Sequence, residues 1–321
     1  MTERDPSPRR YRPSRFQLYR RRILALVVLL LVLGVLGWAA VPAIGGHSHK
    51  ASQTTSADSL IYRTETVTTN GRTTETVIAM QKPFRVVFPE GFTVRQMSER
   101  VGAVKRIAEH ERNVKPRLSS SGYLAEVRRS AAPRCLRGAP ASREGFLFPA
   151  TYDFFTSTTN RGLVADQLAA FCENWQHVDL AYARARNLTP YDVLTIASMI
   201  EKETAAPEER RLVAAVIYNR LHARMPLQID ATLRYGLHIP GTRSITESEL
   251  KSNSPYNTRI RLGLPPTPIA NPGLASMQAA ARPAKVDYLY FVRKPDKRHH
   301  FFTASYQAFV DYSRAHGYGI H

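Results

Sequence analysis

The sequence predicts an α+β fold with a single N-terminal transmembrane helix, a small α+β module and a larger domain of mixed α/β structure. Three observations support this prediction: a long uncharged apolar run near the N-terminus, strand-like patterns before residue 90 and amphipathic helices after residue 143. The chain has 321 residues, of which 43% are hydrophobic and 22% are charged, as is ordinary for a globular protein. This length leaves room for one or two folded domains with a sizeable core.

The N-terminal region predicts a membrane anchor. Residues 23–41 carry no charge, and as a helix they would span roughly 28 Å, close to the hydrocarbon core of a bilayer. Three consecutive arginines precede this run, so the positive-inside rule puts the disordered, Pro- and Arg-rich tail over residues 1–22 in the cytoplasm. We therefore expect a transmembrane helix over residues 23–44 in the cytoplasmic membrane, with the rest of the chain outside. A cleaved signal peptide is the alternative, but its apolar region is usually shorter.

The charge of the chain bears on its partners. The formal net charge is +19, and eight arginines against two acidic residues put part of it on the first 22 residues. Charge alone would allow nucleic-acid binding, but a domain outside the membrane meets little nucleic acid. Anionic lipid headgroups or anionic wall polymers are better partners for such a surface, although scattered arginines can also serve solubility alone.

The region after the apolar run divides into two parts. A polar linker over residues 45–58 leads to a small α+β module over residues 59–130, which opens with a hairpin turning at Asn70 and Gly71. A Pro- and Arg-containing connector precedes the larger domain over residues 143–321. We expect strands over residues 84–88 and 288–292, an aromatic strand-like run over 146–155, and helices that start at Thr93 or cover 161–175, 189–206, 207–225 and 275–281, with a short one at Thr246.

The sequence does not decide whether the two cysteines form a disulfide bond. Cys135 and Cys172 would be able to pair in an oxidising exterior, but two thiols do not prove a bridge and buried free thiols are common. They form no metal-binding motif. His299 and His300 lack further ligands at a recognisable spacing, so we expect no metal site.

The helix over residues 189–206 is the most informative part of the chain. Thr189 is a good N-cap, and Pro190 suits the first helical position because its missing N–H would have no partner there. The helical repeat puts Glu203 on the same stripe as large aliphatic side chains of the preceding turns, whereas Glu201 points elsewhere.

A carboxyl group among apolar neighbours has a chemical use. Loss of hydration penalises the charged form and raises the pKa, so such a group can keep a proton near neutral pH and give it to a leaving oxygen. We therefore consider Glu203 a candidate general acid. The alternative is that Glu203 faces solvent or forms a structural ion pair with a nearby lysine or arginine.

Several segments, taken together and in order, resemble one family. They are EGFLFPATYDF (144–154), ASMIEKET (197–204), VIYNRL (216–221), LQIDATLRYG (227–236), SPYNT (254–258), GLPPTPIANPG (263–273) and YLYFV (288–292). This set is similar to the endolytic murein transglycosylases, also called the YceG-like or MltG family, over about residues 84–302.

The resemblance implies a function and a domain order. Members are single-pass membrane enzymes with a LysM-like module before the catalytic domain. They cut peptidoglycan glycan strands at the β-1,4 bond between N-acetylmuramic acid and N-acetylglucosamine, leaving a 1,6-anhydro end. They need no cofactor, and penicillin-binding proteins or other wall synthases acting on nascent strands are the implied partners. Because the C6 hydroxyl of the sugar is the nucleophile, one carboxyl group can suffice, and the resemblance assigns this catalytic role to Glu203.

Six further residues carry over as candidate contacts with the glycan. They are Glu144, Tyr152, Gln228, Asp230, Tyr256 and Asn257. Amide, hydroxyl and carboxyl groups suit sugar hydroxyls and N-acetyl groups, and aromatic rings can cover sugar faces. Each also has a structural alternative, since Asp230 and Asn257 can shape turns and Tyr152 can belong to the core.

The chain departs from the family pattern at three positions. Ala231 stands where proline is common, Arg259 where an aromatic residue is common, and Thr267 where glycine is common. Arg259 near the cleft would favour acidic stem peptides or anionic glycans, or it would simply be solvated.

Three other functions compete with transglycosylation. Residues 248–251 match S-x-x-K, the pattern of serine acyl-transfer enzymes, but they lie in a capping-box helix and no K-T-G follows. A wall-binding or division scaffold without turnover would keep the fold but lose the activity. A hydrolase would need a second carboxylate, for which Glu201, Asp230 and Glu144 are candidates.

Overall fold

The computed structural model describes residues 60–69, 72–136 and 142–318 and has a mixed α+β architecture. The described strands form three two-stranded antiparallel sheets. The strands are β1 (Leu60–Thr69), β2 (Arg72–Gln81), β3 (Phe84–Val87), β4 (Thr151–Phe154), β5 (Tyr290–Arg293) and β6 (His300–Thr303). The pairing of β1 with β2 confirms the predicted hairpin around Asn70 and Gly71.

Helices are the commonest regular secondary structure among the described residues after β3. They are α1 (Val94–Arg112), α2 (Ser120–Arg129), α3 (Asn160–Trp175), α4 (Ala181–Arg184), α5 (Pro190–Glu203), α6 (Arg210–His222), α7 (Asp230–Gly236), α8 (Glu247–Leu250), α9 (Leu274–Ala281) and α10 (Tyr306–Ala315). The N-caps predicted at Thr93, Thr189 and Thr246 are confirmed, each with a reciprocal side-chain to backbone capping box. A 3₁₀ turn over Pro207–Glu209 precedes α6 where one continuous helix was predicted.

The β3–β4 sheet joins the two segments that the sequence analysis treats as separate modules. Phe84 lies opposite Phe154 in this sheet, and their rings stack with centroids 5.4 Å apart. Met97 of α1, Tyr123 of α2 and Leu163 of α3 belong to the same buried cluster. Residues before and after the connector therefore share one hydrophobic core.

Helix α5 lies at the centre of a second core. Residues 193–200 are all buried, because this helix packs against α6, α7 and α9, and its two polar side chains there, Thr195 and Ser198, donate to backbone oxygens of the helix itself. Its last turn leaves the core, so Glu203 is half-buried whereas Ile200 is fully buried. The core thus fixes the position and direction of the helix that carries the candidate acid.

A disulfide bond between Cys135 and Cys172 resolves the alternatives left open by the sequence. The two Cα atoms lie 5.5 Å apart, and the residues are 37 positions apart in sequence. The bond fastens the segment after α2 to the last turn of α3.

We expect loss of this bond to destabilise the fold. Replacing both cysteines with serine should lower the free energy of unfolding by about 2–4 kcal/mol, because the unfolded chain regains the freedom of a closed loop. Urea unfolding of the full chain with and without a reducing agent measures the effect. The double variant is its own control, since a reducing agent should no longer shift its midpoint; equal midpoints for the oxidised and reduced parent chain would contradict the prediction.

The predicted tail, membrane helix and linker lie outside the described residues. In the part of the chain that the structure describes, no helix is both long enough and apolar enough to cross a bilayer. The mixed α+β class is confirmed, whereas the transmembrane helix and the LysM-like character of the first module stay predictions.

Candidate active site

A cleft of about 340 Å³ opens where α5 leaves the core. Glu203, the last residue of this helix, lies in its wall. The loop before α7 and the first residue of α7 form one side of the cleft, and residues of β5, β6 and α10 form another. Residues of the central helix and of the C-terminal part of the chain therefore line the same cleft.

The surroundings of Glu203 favour its protonated form. Burial raises the pKa of its carboxyl group to about 7, and the negative charge of Asp230 contributes to this rise. The positive charges of Arg293 and Lys202 act in the opposite direction, as does the hydrogen bond donated by the Ala231 backbone N–H. A carboxyl group with this pKa is protonated for a substantial fraction of the time near neutral pH, as a general acid must be.

The structure brings Gln228 and Asp230 to the same cleft as Glu203. Asp230 Oδ1 accepts hydrogen bonds from Nε and Nη2 of Arg259, at 2.9 and 2.7 Å. The side-chain oxygen of Gln228 accepts a hydrogen bond of 3.1 Å from Arg220, and its backbone has a left-handed φ of 55°. Arg259 is thus paired with an acid of the cleft and is not simply solvated.

An aromatic wall of the cleft comes from residues that the sequence analysis did not single out. Tyr290 packs against both Tyr306 and Phe309, with ring centroids 5.5 Å apart in each pair. The guanidinium of Arg220 lies 5.4 Å from the centre of the Tyr290 ring, which is a cation–π distance. Tyr306 is 57% exposed, so part of this wall is open to a ligand.

Glu144 is not among the residues that line the described cleft, and its contact with the glycan stays a prediction. It is only 4% exposed, and its oxygens accept hydrogen bonds from Val94 N at 3.0 Å, Asn271 Nδ2 at 2.9 Å and the Tyr235 hydroxyl at 3.1 Å. Burial raises its pKa to about 7, and these hydrogen bonds partly offset the rise. The carboxyl group therefore accepts from the first backbone N–H of α1 and connects it to Tyr235 of α7 and to Asn271 in the loop before α9.

Three further predicted residues are not among those that line the described cleft: Tyr152, Tyr256 and Asn257. Asn257 is fully buried, and its amide donates to two backbone oxygens of the preceding loop at 2.9 and 2.8 Å. Tyr256 packs against Tyr235 with ring centroids 5.2 Å apart. The Tyr152 hydroxyl donates to the Phe148 carbonyl at 2.8 Å. These contacts correspond to the structural alternatives for Asn257 and Tyr152, and a glycan contact for the three stays a prediction.

Glu201 faces a different part of the molecule from Glu203, as the helical repeat predicts. Its Oε2 accepts a hydrogen bond of 3.1 Å from the backbone N–H of Gly273, at the start of α9. Its Cγ lies near Gly91, in the turn after β3. The two glutamates of one helix therefore have separate neighbours, which makes Glu201 a natural control for Glu203.

The sequence profile of the YceG-like family matches residues 49–315. A protein of Streptococcus pneumoniae named endolytic murein transglycosylase is 34% identical over 228 residues, which are 64% of this chain and 40% of that protein. A protein of Bacillus subtilis with the same name is 38% identical over 151 residues, which are 47% of this chain and 42% of that protein. The chain thus spans about two fifths of the length of these curated relatives.

A solved structure has a similar fold. The 2.6 Å crystal structure of a YceG-like protein from Listeria monocytogenes matches with a TM-score of 0.61 and 26% sequence identity, over 75% of this chain and 85% of that one. The family resemblance predicted from the seven ordered segments is confirmed by these matches. Since the family profile covers most of the chain, the chain belongs to the YceG-like family.

Proposed function

We propose that this protein cuts peptidoglycan glycan strands within the chain, at the β-1,4 bond between N-acetylmuramic acid and N-acetylglucosamine, and leaves 1,6-anhydro ends. The observation that carries the proposal is Glu203, a half-buried carboxyl group with a pKa of about 7 in the wall of a cleft. The names of the relatives from Streptococcus pneumoniae and Bacillus subtilis support murein as the substrate class.

One carboxyl group can serve both halves of this reaction. Protonated Glu203 gives its proton to the glycosidic oxygen while the bond from that oxygen to C1 breaks. The C6 hydroxyl of the muramoyl sugar forms the new bond to C1, and its proton returns to Glu203. No water is consumed, and the acid ends the cycle in its starting form.

The shape of the surface suits a polymeric substrate. A second depression of about 420 Å³ shares Gln228 and Arg259 with the first one and continues past α8. A contiguous depression of this kind supports binding of several sugar units, which cleavage within a strand requires. The aromatic wall formed by Tyr290, Tyr306 and Phe309 can cover sugar faces.

Hydrolysis is the second candidate reaction, because Asp230 is another carboxylate in the same cleft. Its ion pair with Arg259 favours transglycosylation, since Asp230 Oδ1 already accepts two hydrogen bonds from the guanidinium and is less available to orient a water molecule. The mass of the product decides between the two reactions. Mass spectrometry of glycan strands digested by the full chain should give new ends that are one water lighter than hydrolysed ends. Hydrolysed ends would overturn the proposed reaction, and the absence of any product would favour a scaffold.

The cellular setting is part of the same proposal. A helix over residues 23–44 would hold the protein in the cytoplasmic membrane with the catalytic domain outside, and a LysM-like module over residues 59–130 would precede that domain. The Cys135–Cys172 bond supports an oxidising exterior. Cleavage there would end the elongation of nascent strands beside penicillin-binding proteins or other wall synthases.

The pKa of Glu203 makes the reaction rate depend on pH. Because the acid must be protonated, kcat/KM should fall as the pH rises through about 7. Asp230→Asn removes a negative charge that raises the pKa of Glu203, so this fall should move to lower pH. Arg293→Met removes a positive charge that lowers the pKa of Glu203, so the fall should move to higher pH.

The two variants are a matched pair, because they should shift the pH profile in opposite directions. The measurement is the pH profile of kcat/KM for each variant and for the parent chain. Shifts in the same direction, or no shift in either variant, would contradict the assignment of Glu203 as the titrating acid.

A further inference from the structure

His300 is a nearly buried histidine in the wall of the cleft that holds Glu203. It is the first residue of β6, and it is 5% exposed. It lies directly opposite Arg293 of β5, which is close enough to Glu203 to lower the pKa of that carboxyl group. Side chains of directly opposite residues in an antiparallel pair project from the same face of the sheet. His300 thus lines the same cleft as the candidate acid, and the mechanism above does not use it.

A buried carboxylate fixes the orientation of the His300 ring. Glu209 is 6% exposed, and one of its oxygens accepts the His300 backbone N–H at 2.9 Å. Its other oxygen lies 2.7 Å from His300 Nδ1. Because a carboxylate oxygen accepts, Nδ1 carries a proton and donates to Glu209, which leaves Nε2 as the second polar atom of the ring. The rings of Phe291 and Phe302 contact the imidazole edge-on, with centroids 5.4 and 6.0 Å away.

The other ring nitrogen has no such partner. Among the described residues, none forms a hydrogen bond with His300 Nε2, although His300 lines an open cleft. Nδ1 is directed at Glu209, so Nε2 lies on the far edge of the ring. A cleft-lining histidine that is oriented by a buried carboxylate and has its second ring nitrogen unpaired is suited to form a hydrogen bond with a ligand.

A purely structural role explains this arrangement less well. Taking a carboxylate and an imidazole out of water is unfavourable, and apolar side chains of similar volume usually stabilise a core at least as well. The neighbouring His299 shows the exposed counterpart, since its ring contacts Asp296 at 2.8 Å and Glu208 at 3.2 Å on the surface. Two adjacent histidines thus have carboxylate partners, but only His300 lines the described cleft.

We propose that His300 contacts the substrate, with its Nε2 forming a hydrogen bond with a hydroxyl or acetamido group of the glycan bound beside Glu203. Glu209 is then a positioning residue, which holds the ring in the orientation that this contact needs. The inference rests on the proposed function for the identity of the ligand.

Binding to a chain that does not cleave tests the contact separately from the chemistry. The full chain with Glu203→Gln is titrated with a fluorescently labelled peptidoglycan glycan strand, and the dissociation constant is measured by anisotropy. Adding His300→Asn should weaken binding about ten-fold, because one hydrogen bond to the sugar is lost. The asparagine amide can still donate to Glu209, so the buried pairing is kept while the nitrogen on the cleft side is removed. A structural role predicts unchanged binding for this variant.

Matched variants of the neighbouring pair serve as controls. His299→Asn and Glu208→Gln should leave the dissociation constant within about two-fold of the parent value, since these side chains are at the surface away from the cleft. Glu209→Gln should weaken binding, because the glutamine amide orients the ring less well than the carboxylate. The effect should be smaller than that of His300→Asn, because the imidazole itself is still present. Equal effects of the His299 and His300 variants would overturn the inference.

A second measurement requires no change at His300. In the Glu203→Gln chain labelled with ¹⁵N-histidine, saturating glycan should shift the Nε2 resonance of His300, and its Nδ1 resonance should shift less. An unchanged Nε2 resonance at saturation would overturn the inference while leaving the proposed function intact. Failure of this chain to bind glycan at all would overturn both, and cleavage with hydrolysed ends would affect the proposed reaction alone.

Discussion

Replacing Glu203 by glutamine is expected to lower the rate of glycan-strand cleavage by about 10²–10⁴-fold, the usual contribution of a general acid. Glutamine has nearly the same shape as glutamic acid and can still accept the hydrogen bond from Ala231, but it has no proton to give to the leaving oxygen. The fold should be unaffected, because Glu203 lies beyond the buried turns of α5. The measurement is release of fragments from purified strands by the full chain, with melting temperature as the test of folding.

Glu201→Gln is the matched control on the same helix. Its side chain accepts a hydrogen bond from Gly273 and does not line the described cleft, and a glutamine oxygen can accept the same hydrogen bond. This variant should keep most of the activity. Equal activity of Glu203→Gln and the parent chain would rule out Glu203 as the acid, and loss of activity in both variants alike would indicate an effect on the helix and not on proton transfer.

The local signals around α5 made Glu203 predictable. Thr189, Pro190 and the apolar repeat fix where the helix starts and which way each side chain points, and these are properties of a short stretch of chain. The structure adds that residues 193–200 are buried on all sides, which the stripe alone did not indicate. The half-buried position of Glu203 follows from both facts, since the helix ends where the core ends.

The C-terminal wall of the cleft was harder to predict. Strand β6 and helix α10 were missed, although the turn at Pro295 and Asp296 lies between two aromatic runs and Ser305 caps α10. Nothing in the local sequence indicates that these elements line the same cleft as Glu203, because their position depends on how β5 and β6 pack on the rest of the domain. His300 was considered only as a metal ligand and not as a residue of the cleft, since its partner Glu209 is 91 positions away.

The surroundings of Glu144 were not predictable either. Its place in a motif suggested contact with sugar, but a sequence cannot distinguish a carboxylate in a cleft from one that is buried among donors of other segments. Three of its donors, at Val94, Tyr235 and Asn271, are 50 to 127 positions away. Long-range hydrogen bonding of this kind is decided by tertiary structure and not by local pattern.

Glu144→Ala is accordingly expected to destabilise the fold, by about 5 kcal/mol. The substitution removes one acceptor from each of three buried or half-buried donors, at about 1–3 kcal/mol each, and it removes a favourable negative charge from the N-terminus of α1. Urea unfolding of the full chain followed by circular dichroism measures the loss. Glu99→Ala on the exposed face of α1 is the control and should change the free energy of unfolding by no more than about 0.5 kcal/mol.

Glycan binding by the Glu144 variant distinguishes a structural role of this residue from a role in substrate binding. If Glu144 only holds the fold together, molecules of Glu144→Ala that remain folded at low temperature should bind glycan strands with the parent dissociation constant. The binding assay is the one used with the Glu203→Gln chain, so cleavage does not interfere. Weaker binding together with unchanged stability would restore Glu144 as a sugar contact. Such a result would mean that the cleft extends to the α1 N-terminus when a strand is bound, because Glu144 is otherwise enclosed by its donors.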